Sequence, residues 1–125
     1  MHEMGIALEI VEIVQASIPA DQARARVARV NLKIGKLSAL VPDSLRFCFE
    51  VAARETRAAG AELVIQEVPV TARCRSCAHG WTLDQPVFIC PACQGTEIRM
   101  LTGREMDIES IELIEEDPSH VDQGP

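Results

Sequence analysis

A chain of 125 residues, 47% of them hydrophobic, is long enough to bury one domain core and to carry a small metal-held subdomain besides. The net charge of −7 is unevenly placed: all twelve Lys and Arg residues lie at or before Arg104, and eight acids and no base follow it. That acidic end argues against nucleic acid as a partner. No apolar run approaches the roughly eighteen residues of a membrane span, and no basic leader opens the chain, so a soluble cytoplasmic protein is expected.

Residues 4–18 repeat at helical spacing. Met4, Ile6, Ala7, Ile10, Val11, Ile13, Val14 and Ile18 oppose Glu9, Glu12 and Gln15, and Pro19 ends the run. Over 26–34 the period changes to two, with Val30, Leu32 and Ile34 alternating with Arg29, Asn31 and Lys33, the pattern of a half-buried strand closed by Gly35. Pro42-Asp43-Ser44 opens a second helix over 43–59, with Leu45, Cys48, Phe49 and Ala52 as its core stripe and Gly60 as its C-terminal cap. Residues 62–68 form another strand, stopped by Pro69. Residues 104–114 form a third, where the apolar phase slips at Glu109-Ser110 as a bulge would require. The order predicts an α/β (α+β) fold: a three-stranded sheet with two helices on one face, and a separate segment inserted between the second and third strands. The tail over 117–125 has the composition of a disordered end.

The inserted segment carries the strongest motif. Cys74-Arg-Ser-Cys77 and Cys90-Pro-Ala-Cys93 are each spaced C-x2-C, with twelve residues between the pairs. Each pair can wrap one ion, and two such knuckles give the tetrahedral four-thiolate set preferred by structural Zn²⁺. Two disulfides would need an oxidising compartment, for which nothing in the chain speaks. A redox dithiol would open a helix, whereas Cys74 follows a strand pattern. The fifth cysteine, Cys48, reads as a small buried hydrophobe.

A second metal motif stands at the start. Met1-His2-Glu3 places an α-amino group, backbone amides and an imidazole within a few bonds of one another. Such nitrogen donors in a square-planar array suit Ni²⁺ or Cu²⁺ better than zinc or magnesium.

Taken with Leu32-Lys33-Ile34-Gly35-Lys36-Leu37-Ser38, Leu45-Arg46-Phe47-Cys48-Phe49-Glu50 and Glu109-Ser110-Ile111-Glu112, these two motifs make the chain resemble the HypA/HybF family of hydrogenase maturation factors over residues 1 to about 115. The resemblance implies a nickel metallochaperone, not an enzyme. Residues 1–69 and 102–116 would form a discontinuous nickel-binding α/β domain, with Met1, His2 and Glu3 as the nickel site. Residues 70–101 would form a zinc-ribbon domain held by Cys74, Cys77, Cys90 and Cys93. Expected partners are the GTPase HypB and the [NiFe]-hydrogenase large subunit, with urease maturation proteins in some organisms, and no nucleic acid or membrane. Either a monomer or a homodimer is compatible. Asp43 is the only carboxylate of the 38–43 loop that could join the nickel set; its competing role is to cap the second helix. His79 is either a competitor for zinc or a solvent-facing knuckle residue, and His120 has no assigned role. The other function class open to this sequence is a zinc-ribbon module that binds protein or nucleic acid, since Arg73, Arg75, Arg99 and Arg104 surround the ribbon.

Overall fold

The computed structural model describes residues 3–115. The expected mixed α+β class is present, with two helices and two small sheets. The chain resolves into two compact units. One holds the residues up to Leu32, Leu40–Ile65 and those from Ile108 onward; the other holds Lys33–Ala39 and Gln66–Asp107.

In the first unit, α1 spans Glu3–Ala16 and buries Ile6, Ala7, Ile10, Val11 and Val14, the stripe that its 3.6-residue period dictates. Ile13, expected inside, is 44% exposed, as it lies at the margin of that stripe. The helix closes where the Ser17 N–H and hydroxyl both donate to the Ile13 carbonyl. Strand β1 (Ala25–Gly35) buries Ala25 and Val27, then Val30, Leu32 and Ile34, and lies between β2 (Glu62–Val68) and β6 (Met106–Glu115). Along β6 the half-buried positions are Ile108, then Ile111 and Leu113. The inward phase therefore shifts where the sequence slips.

Helix α2 spans Pro42–Ala53, with Pro42 at its first turn and Leu45, Phe49 and Ala53 buried. It packs against α1. The expected extension to residue 59 does not occur. Arg54 leaves the helix with ψ 139°, Glu55 has φ 61°, and the Thr56 hydroxyl donates to the Ala53 carbonyl at 2.6 Å. Tertiary bonding overrides the local propensity. The Arg57 guanidinium donates to the carbonyls of Ala25 and Gln22, and the Arg57 carbonyl accepts the Val27 N–H.

The three-stranded sheet is also tied by side chains. Arg29 of β1 bonds Glu62 of β2 at 3.0 Å and Glu112 of β6 at 2.9 Å, and the Asn31 amide donates to Ser110 and Glu112. Glu112 is held below the ordinary carboxylate range by the Asn31 amide and by Arg29.

The second unit has a sheet of its own, in the order β4 (Gly80–Leu83), β3 (Val70–Cys74), β5 (Ile98–Thr102), and both pairings are antiparallel. Val70, Ala72 and Leu83 are buried, with Leu37, Trp81, Ile98 and Met100 packed against them. Leu37 comes from a short 3-10 helix over Lys36–Ser38 that directly follows β1. Its N–H donates to the Gly103 carbonyl, and the Gly35 N–H donates to that of Glu105. Backbones approach so closely here that a Cβ on Gly35 would lie 2.1 Å from the Gly103 carbonyl carbon.

Candidate metal centre

The two cysteine pairs form knuckles of the same construction. In the first, the Cys74 N–H donates to the His79 carbonyl and the Cys74 carbonyl accepts the Ala78 N–H. In the second, the Cys90 N–H donates to the Gly95 carbonyl and the Cys90 carbonyl accepts the Gln94 N–H. The fourth residue after the leading cysteine is left-handed in both, Ala78 at φ 66° and Gln94 at φ 63°. The tight reversal turns both sulfurs of a C-x2-C pair to one side. Backbone N–H groups then aim at sulfur: Ala92 and Cys93 toward Cys90 Sγ, at 3.4 and 3.5 Å, and Gly95 toward Cys93 Sγ at 3.4 Å. Gly95 is constrained by this packing, since a Cβ there would lie 3.2 Å from Cys93 Sγ.

The sulfurs of Cys74, Cys77, Cys90 and Cys93 lie within 4.8 Å of one another. Cys74 and Cys93 are 3.6 Å apart, as are Cys77 and Cys90. A disulfide needs about 2.05 Å, so these cysteines are not paired as disulfides in the structure. Four sulfurs at about 2.3 Å from a central Zn²⁺ stand about 3.8 Å apart. The donor set therefore fits structural zinc in ligand type, number and spacing. Cys74 and Cys90 are buried while Cys77 and Cys93 face solvent.

Without metal, the four sulfurs cannot all be ionised. The Cys77 N–H, helped by that of Ser76, holds Cys74 down at about 7. The His79 N–H pulls Cys77 down, but the adjacent Cys90 sulfur, with those of Cys93 and Cys74, outweighs it and pushes Cys77 up to about 12. Burial works against ionisation of Cys90, yet the N–H groups of Cys93 and Ala92 prevail and lower it. The Gly95 N–H lowers Cys93, but the Cys74 sulfur beside it, with that of Cys90, leaves it raised. Each 3.6 Å pair thus combines one acidic and one basic sulfur, the arrangement of a thiolate sharing a proton with its neighbour.

The other predicted site residues are placed as follows. Glu3 opens α1, and its carboxylate accepts the Val41 N–H at 3.4 Å, within the loop that precedes α2. Met1, His2 and His120 lie outside the described residues. Asp43 does not cap α2. It sits inside the first turn, its side chain 96% exposed, and pairs with Arg46 at 3.2 Å. His79 stands at the surface, stacked on Trp81 with centroids 5.8 Å apart. Cys48 is half-buried on α2. The sequence did not disclose the mirrored hydrogen bonding of the knuckles, although the matched C-x2-C spacings hint at it.

A family model described as hydrogenase/urease nickel incorporation, metallochaperone, hypA matches residues 1–113. The chain belongs to the HypA family. A hydrogenase maturation factor HypA from Desulfosudis oleivorans is 55% identical over 115 residues, covering 92% of this chain and all of the relative. Another HypA, from Desulfatibacillum aliphaticivorans, is 46% identical and covers 99% of this chain and 94% of its own. The fold resembles a solution structure of the Ni metallochaperone HypA from Helicobacter pylori, with TM-score 0.64 and 24% identity, covering 93% of this chain and 100% of that one. As a HypA family member, the chain is a nickel-incorporation metallochaperone of hydrogenase maturation. Among the described residues no helix is long and apolar enough to cross a membrane.

Proposed function

We propose that this chain binds Ni²⁺ at its N-terminus through Met1, His2 and Glu3 and delivers it to the [NiFe]-hydrogenase large subunit during maturation. In this reading Cys74, Cys77, Cys90 and Cys93 hold a permanent structural Zn²⁺, and the GTPase HypB is the working partner in the cytoplasm. The observation that carries the proposal is that the family match starts at residue 1, so that it includes Met1-His2-Glu3. Residues 1–69 and 102–116 serve as the nickel-binding domain and 70–101 as the zinc domain.

Coordination chemistry supports the division of labour. An α-amino group, amide nitrogens and an imidazole favour Ni²⁺. A site at the chain's beginning leaves one flank open, so incoming ligands can replace the outgoing ones stepwise. A zinc ion in a closed four-sulfur set supplies shape rather than chemistry. The Glu3 carboxylate accepts the Val41 N–H through one oxygen at 3.4 Å, and the Glu3 backbone nitrogen is a further donor beside it.

The test is nickel titration of the native chain against one with extra residues ahead of Met1. The extension removes the primary amine from the donor set and is expected to weaken binding or change its stoichiometry. Identical isotherms would overturn the N-terminal assignment.

A further inference from the structure

Three arginines surround one open pocket of about 420 Å³. Arg73, Arg75 and Arg99 line it together with Cys74 and Ala78. Arg73 and Arg99 are directly opposite each other on antiparallel β3 and β5, so both side chains leave the same face of the sheet. Like charges in that relation destabilise a strand pair. On its other side Arg73 pairs with Gly80, which has no side chain to cover that face. All three arginines are exposed. Among the described residues the guanidinium ion pairs belong to Arg29 and Arg46, and none forms at this pocket. Glu97, the nearest acid in sequence to Arg99, contributes only its carbonyl, which accepts the Arg75 N–H.

We infer that this pocket is a docking site for an acidic segment of a partner protein, one that presents at least two neighbouring carboxylates. Guanidinium forks match carboxylates with paired, charge-assisted hydrogen bonds. The repulsion between Arg73 and Arg99 is relieved when an anion lies between them. A protein segment fits better than a nucleic acid on two grounds. No aromatic residue lines the pocket on which a base could stack. The net charge of −7 repels an extended polyanion, whereas a short acidic segment meets only the local arginines. The presence of Cys74 in the lining places the docked segment at the edge of the four-sulfur cluster. This inference does not depend on where nickel binds.

The experiment uses the full zinc-loaded chain and a fluorescently labelled hexaglutamate peptide, followed by anisotropy. Binding is expected at low salt and is expected to weaken toward about 150 mM salt. R73Q/R99Q should bind the peptide about tenfold more weakly or worse, with zinc content unchanged. R24Q, an exposed arginine of the first unit, should bind like the parent. Three results would overturn the inference. The first is equal peptide binding by R73Q/R99Q and parent. The second is tighter binding of an oligothymidine of equal charge than of the peptide. The third is loss of zinc from R73Q/R99Q with peptide binding intact, which would assign the arginines to balancing the cluster's own charge.

Discussion

Metal-free protein should take up zinc only by expelling protons, and the structure sets the least number. The cluster holds two short sulfur pairs, Cys74 with Cys93 and Cys77 with Cys90, each 3.6 Å apart. Each pair keeps one sulfur basic: Cys77 is pushed up to about 12 and Cys93 is raised. Near pH 7.5 the metal-free site therefore retains at least the protons of Cys77 and Cys93, and Zn²⁺ must displace them. Each displaced proton makes the apparent affinity fall about tenfold per pH unit of acidification, so two give a slope of at least about a hundredfold. Below about 7, where Cys74 also takes a proton, the slope should steepen by about one further proton. The sign for the metal-free fold follows from the same group. Cys74 titrates at about 7, below its ordinary 9.0, so its thiolate contributes stability fully above the ordinary value. That contribution is lost as pH falls through about 7. Zinc titrations in buffers of different ionisation enthalpy, with a chromophoric competitor at each pH, count the protons. Release of one proton or fewer, with a slope near tenfold per pH unit, would refute this account of the paired sulfurs.

Other perturbations test the frame around the site. Phe49→Ala removes a ring that is 2% exposed and should cost about 3–5 kcal/mol in chemical unfolding; a cost under about 1 kcal/mol would contradict its place in the core. Gly35→Ala should destabilise the protein strongly, because the new methyl would collide with the Gly103 backbone at 2.1 Å and break the bond from the Gly35 N–H to the Glu105 carbonyl. A melting temperature within the error of the parent's would disprove that close approach. Glu112 is lowered by Asn31 and Arg29, so its contribution is full above the ordinary carboxylate pKa and fades as pH falls through its folded value. Glu112→Gln should therefore flatten the acid limb of the stability curve while leaving zinc content unchanged.

Periodicity alone located α1, β1 and β2, because each buries one face of a regular element and the apolar residues mark that face. It overshot α2. Residues 54–59 have helical propensity, but the Thr56 hydroxyl bond to the Ala53 carbonyl and the distant bonds of Arg57 to Gln22, Ala25 and Val27 turn the chain away. In the sequence the 70–101 segment is marked only by its two cysteine pairs. The structure gives it a cluster of Val70, Ala72 and Leu83, joined by Leu37 from far upstream and by residues of strands too short to show a period. Spacing could not announce Leu37, because its contribution exists only after β1 and β5 have brought Gly35 against Gly103. The four-cysteine set was legible because C-x2-C knuckles are local. The pairing of Cys74 with Cys93 and Cys77 with Cys90 across the knuckles was not, since it depends on how the two turns face each other.

X-ray absorption on protein loaded with both metals tests the central claim most directly, because each edge reports its own ion. The zinc edge should show four sulfurs at about 2.3 Å. The nickel edge should show nitrogen and oxygen only, and His2→Ala should remove the imidazole signal from it and leave the zinc spectrum unaltered. Sulfur around nickel, or a nickel spectrum indifferent to His2→Ala, would contradict a carrier that loads its cargo at the first residues of the chain.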